Sequence, residues 1–200
     1  MPQRIGVYGG SFDPIHFGHL AIVEEARWAL DLDEVLVVPA AQQPLKSSKV
    51  GASATQRLAM VQLACANNSR LRPSDIELRR PPPSYTVDTL AELRGSLPTT
   101  TELYFILGAD ALRDLKRWRE PQRIVGLARI AVLARPGVTL DLAALETELP
   151  GLYKKLTQID GPLLDISSTI LRTRIAAGQP IRYQTPDAVC AYIAEQQLYV

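Results

Sequence analysis

The sequence contains few of the residues that build disulfide-rich or metal-dependent folds. Its 200 residues include two cysteines, Cys65 and Cys190, and two histidines, His16 and His19. The two cysteines are far apart, with neither a histidine nor a second cysteine close to either one. This spacing predicts neither a zinc site nor a disulfide. Both cysteines lie in apolar helical segments, which favours buried small side chains.

The chain also lacks an excess of charge and a long apolar run. Its 22 Lys and Arg and 21 Asp and Glu give a formal net charge of +1, so no global basic field indicates a nucleic-acid polymer as partner. The Arg-rich stretch at 113–119 could form a local anion patch or a solvated helix face. No apolar run reaches the roughly 18 residues that a membrane span requires, and no targeting pattern opens the chain. We expect a cytoplasmic protein without a membrane partner; a homo-oligomer stays open.

Strand and helix patterns alternate along the chain, as in parallel α/β proteins. Strands are predicted over residues 4–9, 34–38, 71–78, 103–107, 130–134 and 155–159, with Pro73 making the third weak or an edge strand. Helices are predicted over residues 16–30, 55–67 with Thr55 as N-cap, 86–97, 141–149, from 167 onward and from 186 toward 198. The links are short. We predict a single Rossmann-like, doubly wound α/β domain over residues 1–200, with a small helical part at about 160–200.

A glycine pair follows the first predicted strand. Gly9 and Gly10 begin the segment GGSFDP, which leads directly into a helix. Paired glycines let backbone N–H groups approach a ligand closely, and a helix N-terminus adds a partial positive charge. Ligands of such sheets lie beyond the carboxyl ends of the strands. Gly9-Gly10 and the corresponding Gly108-Ala109-Asp110 after the fourth strand are therefore candidate site segments.

The two histidines raise the significance of this turn. His16 and His19 are three residues apart at the start of a helix, which places both rings on one face of its first turn. Imidazoles can donate hydrogen bonds to phosphoryl oxygens. The alternatives are a helix cap and a metal site. A metal site is disfavoured because there is no third histidine and Asp13 is the only carboxylate nearby.

A second cluster lies near the other end of the chain. The segment ISSTILR at 166–172 combines the hydroxyls of Ser168 and Thr169 with a helix start, and Arg172 follows one turn later. Dipole, hydroxyls and guanidinium could together hold a phosphate. Taken alone, the segment is better explained by an N-cap followed by a surface arginine. Its presence in one chain with the histidine pair favours phosphate binding.

The segments GGSFDPIHFGHL at 9–20 and ISSTILR at 166–172 together resemble the HxGH nucleotidylyltransferase superfamily. Pantetheine-phosphate adenylyltransferases share these motifs but are typically shorter. Further segments are similar to bacterial nicotinate-nucleotide adenylyltransferases: PSYTVDTL at 83–90, FILGAD at 105–110, residues 115–118, RPG at 135–137 and the stretch 186–199. This resemblance runs nearly end to end. It implies transfer of AMP from ATP to nicotinate mononucleotide, with pyrophosphate released and Mg²⁺ required.

The resemblance also implies roles for the matching residues. On the ATP side, it implies phosphate contacts and transition-state stabilisation at the first motif, adenylate contacts after the fourth and fifth strands, and binding of the ATP tail at the second motif. Gly9, Gly10, Ser11 and Phe12 would contact the phosphates, and His16 and His19 would stabilise the transition state. Gly108, Asp110 and Arg135 would contact the adenylate. The ATP tail would be bound by Ser168, Thr169 and Arg172. On the acceptor side, Thr86 would bond the nicotinate carboxylate and Trp118 would stack on the pyridine ring. Tyr85 would shape the loop and Lys46 would supply a cation.

Two segments depart from the family pattern. Gln43-Pro44-Leu45-Lys46 lacks the histidine that the family usually has before a basic residue. Arg119 stands where an aromatic residue is common after the tryptophan; this change is harmless if only the backbone is used, or could favour an anionic ring substituent. The alternatives are the same chemistry on nicotinamide mononucleotide or phosphopantetheine, and a nucleotide-binding module without catalysis.

Overall fold

The computed structural model describes residues 2–42, 51–134, 139–162 and 164–200. The strands are β1 (Arg4–Gly10), β2 (Glu34–Pro39), β3 (Leu71–Pro73), β4 (Glu102–Gly108), β5 (Arg129–Ala134) and β6 (Leu156–Asp160). The α-helices are α1 (Phe17–Ala29), α2 (Ala54–Cys65), α3 (Thr86–Ser96), α4 (Ala109–Asp114), α5 (Pro121–Leu127), α6 (Leu142–Glu148), α7 (Ser168–Ala176) and α8 (Asp187–Glu195). A 3₁₀ turn covers Leu115–Arg117.

The six strands form one parallel sheet in the order β3-β2-β1-β4-β5-β6. This is the strand order of the Rossmann fold. The chain leaves β1 toward one edge of the sheet and enters β4 on the other side of β1, so the order reverses between these two strands. The predicted doubly wound, Rossmann-like sheet is confirmed.

Side chains of the central strands alternate between two cores, one on each face of the sheet. Along β4, Leu103, Phe105 and Leu107 enter one core, while Tyr104 and Ile106 enter the other. The first core is closed by helices α3 to α6 and the second by α1, α2, α7 and α8. Because both faces are covered, the strands contain near-continuous apolar runs, which is why the sequence indicates them clearly.

Several local predictions are wrong. Ser53, not Thr55, is the N-cap of α2, because its hydroxyl accepts the Gln56 N–H at 3.2 Å. The strand predicted over 71–78 ends at Pro73, after which the chain turns at Asp75; β3 is nevertheless an edge strand, as predicted. The apolar residues at helical spacing in the predicted helix 16–30 include Trp28, which this spacing predicts to face the core, but its side chain is 76% exposed.

After β6 the chain forms two helices that return to the second core. Leu171 of α7 and Val189 of α8 are fully buried there, and α8 packs against α2. Cys65 is buried in the same core, whereas Cys190 is only half-buried. No helix in the described ranges is long and apolar enough to cross a bilayer.

Candidate active site

A cavity of about 720 Å³ opens where the strand order reverses. Gly9 and Gly10 at the end of β1 and Gly108 at the end of β4 line it. These strands are hydrogen-bonded neighbours, so their carboxyl ends lie side by side. The cavity therefore occupies the position that ligands take in open α/β sheets.

The two histidines meet at the start of α1. His16 is the N-cap residue, and its ring stacks on that of His19 with centroids 3.6 Å apart and planes 26° apart. His19 Nδ1 accepts the backbone N–H of His16 at 3.2 Å. His16 is 5% exposed, and burial lowers its pKa to about 4. His16 is therefore neutral near pH 7, which is the state that a buried imidazole favours.

His16 Nδ1 is buried, and within the described residues it has no hydrogen-bond partner. A buried polar atom without a partner is costly in a folded protein unless a ligand or water satisfies it. This nitrogen is thus a candidate ligand contact at the N-terminus of α1.

Phe12 shapes the loop below the histidines. Its ring is fully buried and meets the His19 ring edge-on, with centroids 5.1 Å apart. Its backbone has a φ of 48°, a left-handed conformation that non-glycine residues rarely adopt. A Cβ at Gly10 would lie 2.8 Å from the Phe12 ring. Gly10 is therefore required by close packing, and this packing fixes the loop beside the histidines.

Helix α7 brings the second motif to the same loop. Ser168 Oγ donates to the Pro14 carbonyl at 2.9 Å, and Arg172 Nη1 donates to the Asp13 carbonyl at 2.7 Å. A Cβ at Gly18 would lie 3.0 Å from His16 Nδ1 and 3.5 Å from the Ile166 carbonyl. The two motifs, far apart in sequence, thus meet with the N-termini of α1 and α7 close together.

The acceptor candidates Tyr85, Thr86 and Trp118 all line the cavity. Thr86 is the first residue of α3, and Tyr85 precedes it. Trp118 packs edge-on against Phe105 of β4, with centroids 6.0 Å apart. The Arg119 guanidinium lies 4.6 Å from the centre of the Tyr85 ring. The cavity wall thus combines aromatic faces, a helix N-terminus and a cation.

Not every predicted residue joins one cluster. Asp110 lies in the first turn of α4 and bonds Arg113 at 3.0 Å, and Thr169 is exposed at the start of α7. Lys46 and Arg135 lie outside the described residues. In the Arg-rich stretch, Arg113 and Arg119 pair with acidic side chains, as expected for a solvated face, although Arg119 also lines the cavity.

Sequence reasoning missed a buried arginine beneath the loop. Arg57 of α2 is 2% exposed and donates to the Ser11 carbonyl at 2.7 Å and the Ala41 carbonyl at 3.0 Å. It shares the helical spacing of the buried Met60 and Val61, so a charged residue at a core-facing position was the available signal. Arg57 joins the loop after β1 to the loop after β2.

A buried carboxylate at the cavity wall was also missed. Glu77 is 8% exposed, and its Oε1 accepts the Thr89 hydroxyl at 2.7 Å. Burial raises the pKa of Glu77, while Thr89, Ser84 and the nearby arginines lower it less. Ser84 in turn accepts the Ala41 N–H at 3.0 Å. Glu77 therefore anchors the segment that contains Tyr85 and Thr86.

Thr185 supports the start of α1 from the opposite end of the chain. Its buried hydroxyl donates to the Ile15 carbonyl at 2.7 Å, and the neighbouring Gln184 carbonyl accepts the Phe17 N–H at 3.0 Å. No motif in the sequence indicates this contact, because a lone threonine before Pro186 is typical of many loops. The turn at Thr185 thereby holds the His16 backbone in place.

Comparison with known proteins places this site in a family. Residues 7–174 match the family described as cytidylyltransferase-like. A protein of Roseiflexus sp. strain RS-1, named "Probable nicotinate-nucleotide adenylyltransferase", is 58% identical over 98% of this chain and 97% of its own length. A protein of the same name from Herpetosiphon aurantiacus is 50% identical over 99% of each chain.

A solved structure shares the fold. A solved structure of Plasmodium falciparum nicotinic acid mononucleotide adenylyltransferase, complexed with NaAD, superposes with a TM-score of 0.80 over 98% of this chain and 97% of that one, at 24% identity. At that identity the match supports the fold, and the bacterial relatives support the closer grouping. The chain belongs to the cytidylyltransferase-like family and, within it, to the nicotinate-nucleotide adenylyltransferases.

Proposed function

We propose that this enzyme transfers AMP from ATP to nicotinate mononucleotide, releasing pyrophosphate and forming nicotinate adenine dinucleotide in NAD biosynthesis. The single observation that carries this proposal is the meeting of the two motifs at one loop, beside a cavity lined by Thr86 and Trp118. The names of relatives at 50–58% identity support the same acceptor.

The transfer needs no protein nucleophile. A phosphate oxygen of the mononucleotide forms the new bond to the α-phosphorus of ATP. The bond between the α-phosphorus and the oxygen that bridges it to the β-phosphorus breaks, and pyrophosphate leaves with that oxygen. Because the acceptor phosphate is already an anion, positioning and charge stabilisation can supply most of the catalysis.

The histidine geometry supports a donor role. Since His19 Nδ1 accepts a backbone N–H, the neutral ring has its proton on Nε2. His19 would therefore donate from Nε2 to an oxygen of the transferring phosphoryl group. His16, neutral in the free protein, would be favoured in its protonated form once an anion binds beside it.

The remaining ATP contacts follow from backbone geometry and one arginine. Helices α1 and α7 both begin beside this loop, so the positive ends of their dipoles lie next to it. Ser11 and Phe12 would use backbone groups, and Arg172, with Ser168 and Thr169, would bind the triphosphate tail. Gly108 at the end of β4 and Asp110 in the first turn of α4 would contact the adenylate ribose.

The acceptor ring would occupy the cavity between β4 and α3. Trp118 and Tyr85 offer aromatic faces, and Thr86 at the start of α3 offers a hydroxyl and a backbone N–H to the nicotinate carboxylate. The Arg119 cation at the same wall adds attraction for that carboxylate.

We expect Mg²⁺ to arrive with ATP. In the parts of the chain that the structure describes, no three His, Cys, Asp or Glu side chains converge as a metal site. The buried Asp13 carboxylate is already bonded to the Gly51 and Ala52 N–H groups. Phosphate oxygens would therefore supply most of the ligands, and the bound ion would neutralise charge on the leaving pyrophosphate.

The test is a steady-state pyrophosphate assay with ATP and three acceptors: nicotinate mononucleotide, nicotinamide mononucleotide and phosphopantetheine. We expect the highest kcat/KM with nicotinate mononucleotide. A large preference for the amide would contradict the acceptor assignment. Absence of pyrophosphate with every acceptor would instead favour a binding module.

A further inference from the structure

The buried carboxylate of Asp13 joins three distant parts of the chain. It is 3% exposed. Its Oδ2 accepts the Gly51 N–H at 2.9 Å, and its Oδ1 accepts the Ala52 N–H at 3.1 Å and the Tyr199 hydroxyl at 2.6 Å. Arg172 Nη1 lies 3.8 Å from Oδ2. Asp13 thus connects the loop after β1, in which it lies, to the segment before α2 and to the last residues of the chain.

Arg172 is held mainly by this same residue. Its Nη1 donates to the Asp13 carbonyl at 2.7 Å, whereas its Nη2 contact with Thr169 Oγ1 is longer, at 3.4 Å. The side chain is 29% exposed. The guanidinium can therefore face a ligand while Asp13 sets its direction.

Tyr199, the penultimate residue, is built into this arrangement. A Cβ at Gly51 would lie 2.7 Å from the Tyr199 ring, so the ring packs directly on the Gly51 backbone. Tyr199 has a φ of 66°, a left-handed conformation that turns its side chain back from α8 toward Asp13. The last residues of the chain thus close onto the loop that begins α1.

We propose that Tyr199 is a positioning residue for ATP: its hydroxyl donates to Asp13 and so holds Arg172 available to the triphosphate. The hydroxyl takes part of the hydrogen-bonding capacity of a buried carboxylate. Without it, Oδ1 keeps one backbone donor, and the carboxylate attracts the nearest cation, Arg172, more strongly. Arg172 would then pair with Asp13 at the expense of the phosphates. This inference rests on the proposed role of Arg172 in ATP binding.

The test compares Tyr199→Phe, Arg172→Lys and the double variant with Tyr183→Phe, whose side chain is 81% exposed and serves as the control. For each we would measure kcat, both KM values and Tm. We expect Tyr199→Phe to raise the KM for ATP about fivefold, on the scale of the net contribution of one ordinary hydrogen bond. The contact between Arg172 and the triphosphate would act equally in the ground state and the transition state. For Tyr199→Phe, kcat and the KM for nicotinate mononucleotide should therefore stay within about twofold of the wild-type values.

The double variant separates coupling from general damage. If Tyr199 acts through Arg172, the double variant raises the KM for ATP no further than Arg172→Lys does alone. Independent, multiplying effects would overturn the inference. So would a lowered Tm with equal increases in both KM values, which is the result expected for a purely structural tyrosine.

The experiment distinguishes failure of the Tyr199 inference from failure of the proposed function. A raised KM for ATP in Arg172→Lys together with a wild-type KM in Tyr199→Phe overturns the Tyr199 inference and leaves the function intact. An unchanged KM for ATP in Arg172→Lys removes the role of Arg172, and the inference with it. Absence of pyrophosphate from the wild-type enzyme would overturn the proposed function itself.

Discussion

His19 Nδ1 accepts the backbone N–H of His16 while the two rings stack 3.6 Å apart. The bond fixes which nitrogen of His19 has the proton, and the stacking fixes the direction of its ring. Phe12 supports the His19 ring from a third side. A donor held in this way loses little entropy when a phosphoryl group develops charge next to it.

The first prediction concerns His19. We expect His19→Ala to lower kcat by about 100-fold or more, the scale for losing one preorganised donor to a transition state. Trp28→Phe, an exposed change on the same helix, is the control. Near-normal turnover with only a higher KM for ATP would contradict the assignment.

The second prediction is a pH dependence of stability caused by His16. Burial lowers its pKa from 6.5 to about 4, so the unfolded chain binds a proton that the folded protein does not. The unfolding free energy of the wild type should therefore fall as pH drops through the window from 6.5 to 4, by about 2 kcal/mol at pH 5.

His16→Gln isolates this contribution, because glutamine does not titrate. Urea unfolding of both proteins at several pH values gives the difference in unfolding free energy. We expect the wild type to lose stability relative to the variant below pH 6.5. A difference that is constant from pH 7 to pH 5 would mean that the pKa of His16 is not lowered in the folded protein.

The third prediction concerns Glu77, where the sign is opposite. Burial raises its pKa above 4.5, so its contribution to stability is present below pH 4.5 and is lost as pH rises through the folded-state pKa. Glu77→Gln can keep the bond from Thr89 without ionising. The variant should therefore gain stability relative to the wild type as pH rises from 4.5 to 7. Urea unfolding at several pH values measures this. If the unfolding free energy of the variant fell relative to that of the wild type between pH 4.5 and pH 7, the prediction would be contradicted.

The sequence predicts the fold best where a strand is buried on both faces of the sheet. In β4 and β5 nearly every residue is buried, so a continuous run of apolar residues is enough to indicate the strand. The sequence predicts the ends of helices less well, because a single hydrogen bond can determine where a helix begins. The Ser53 hydroxyl makes that bond at α2, so Thr55 lies inside the first turn. Trp28 fits an apolar period yet is exposed, because a periodic pattern cannot tell which residues have a partner element.

The candidate site divides in the same way. The histidine pair and the α7 motif are compact in sequence, and their meeting follows from the strand order. Arg57, Thr185 and Tyr199 support the loop from distant elements. Such contacts depend on tertiary packing, which leaves no local pattern, although the core-facing position of Arg57 was detectable.

The fourth prediction tests Trp118. Its ring is half-buried and lines the cavity, so a pyridine ring stacked on it should quench its fluorescence. The Trp28→Phe background removes the other tryptophan, which is exposed. Titration with nicotinate mononucleotide should give saturable quenching. A Trp118 signal that does not respond at concentrations that saturate activity would contradict stacking.

The fifth prediction concerns acceptor choice by Arg119. Its guanidinium lies over Tyr85 at the cavity wall but also pairs with Asp88 at 3.6 Å, so only part of its charge is available to a ligand. We expect Arg119→Ala to lower the kcat/KM ratio of nicotinate to nicotinamide mononucleotide by up to about fivefold, since half-exposed ion pairs contribute at most about 1 kcal/mol. Arg123→Ala removes the same charge from a residue that pairs with Glu120 at 3.1 Å and is not among the residues lining the cavity; it is the control and should leave the ratio unchanged. An equal loss for both acceptors would show that Arg119 supports the wall through Tyr85 and does not recognise the carboxylate; higher salt should weaken the effect if charge is the cause.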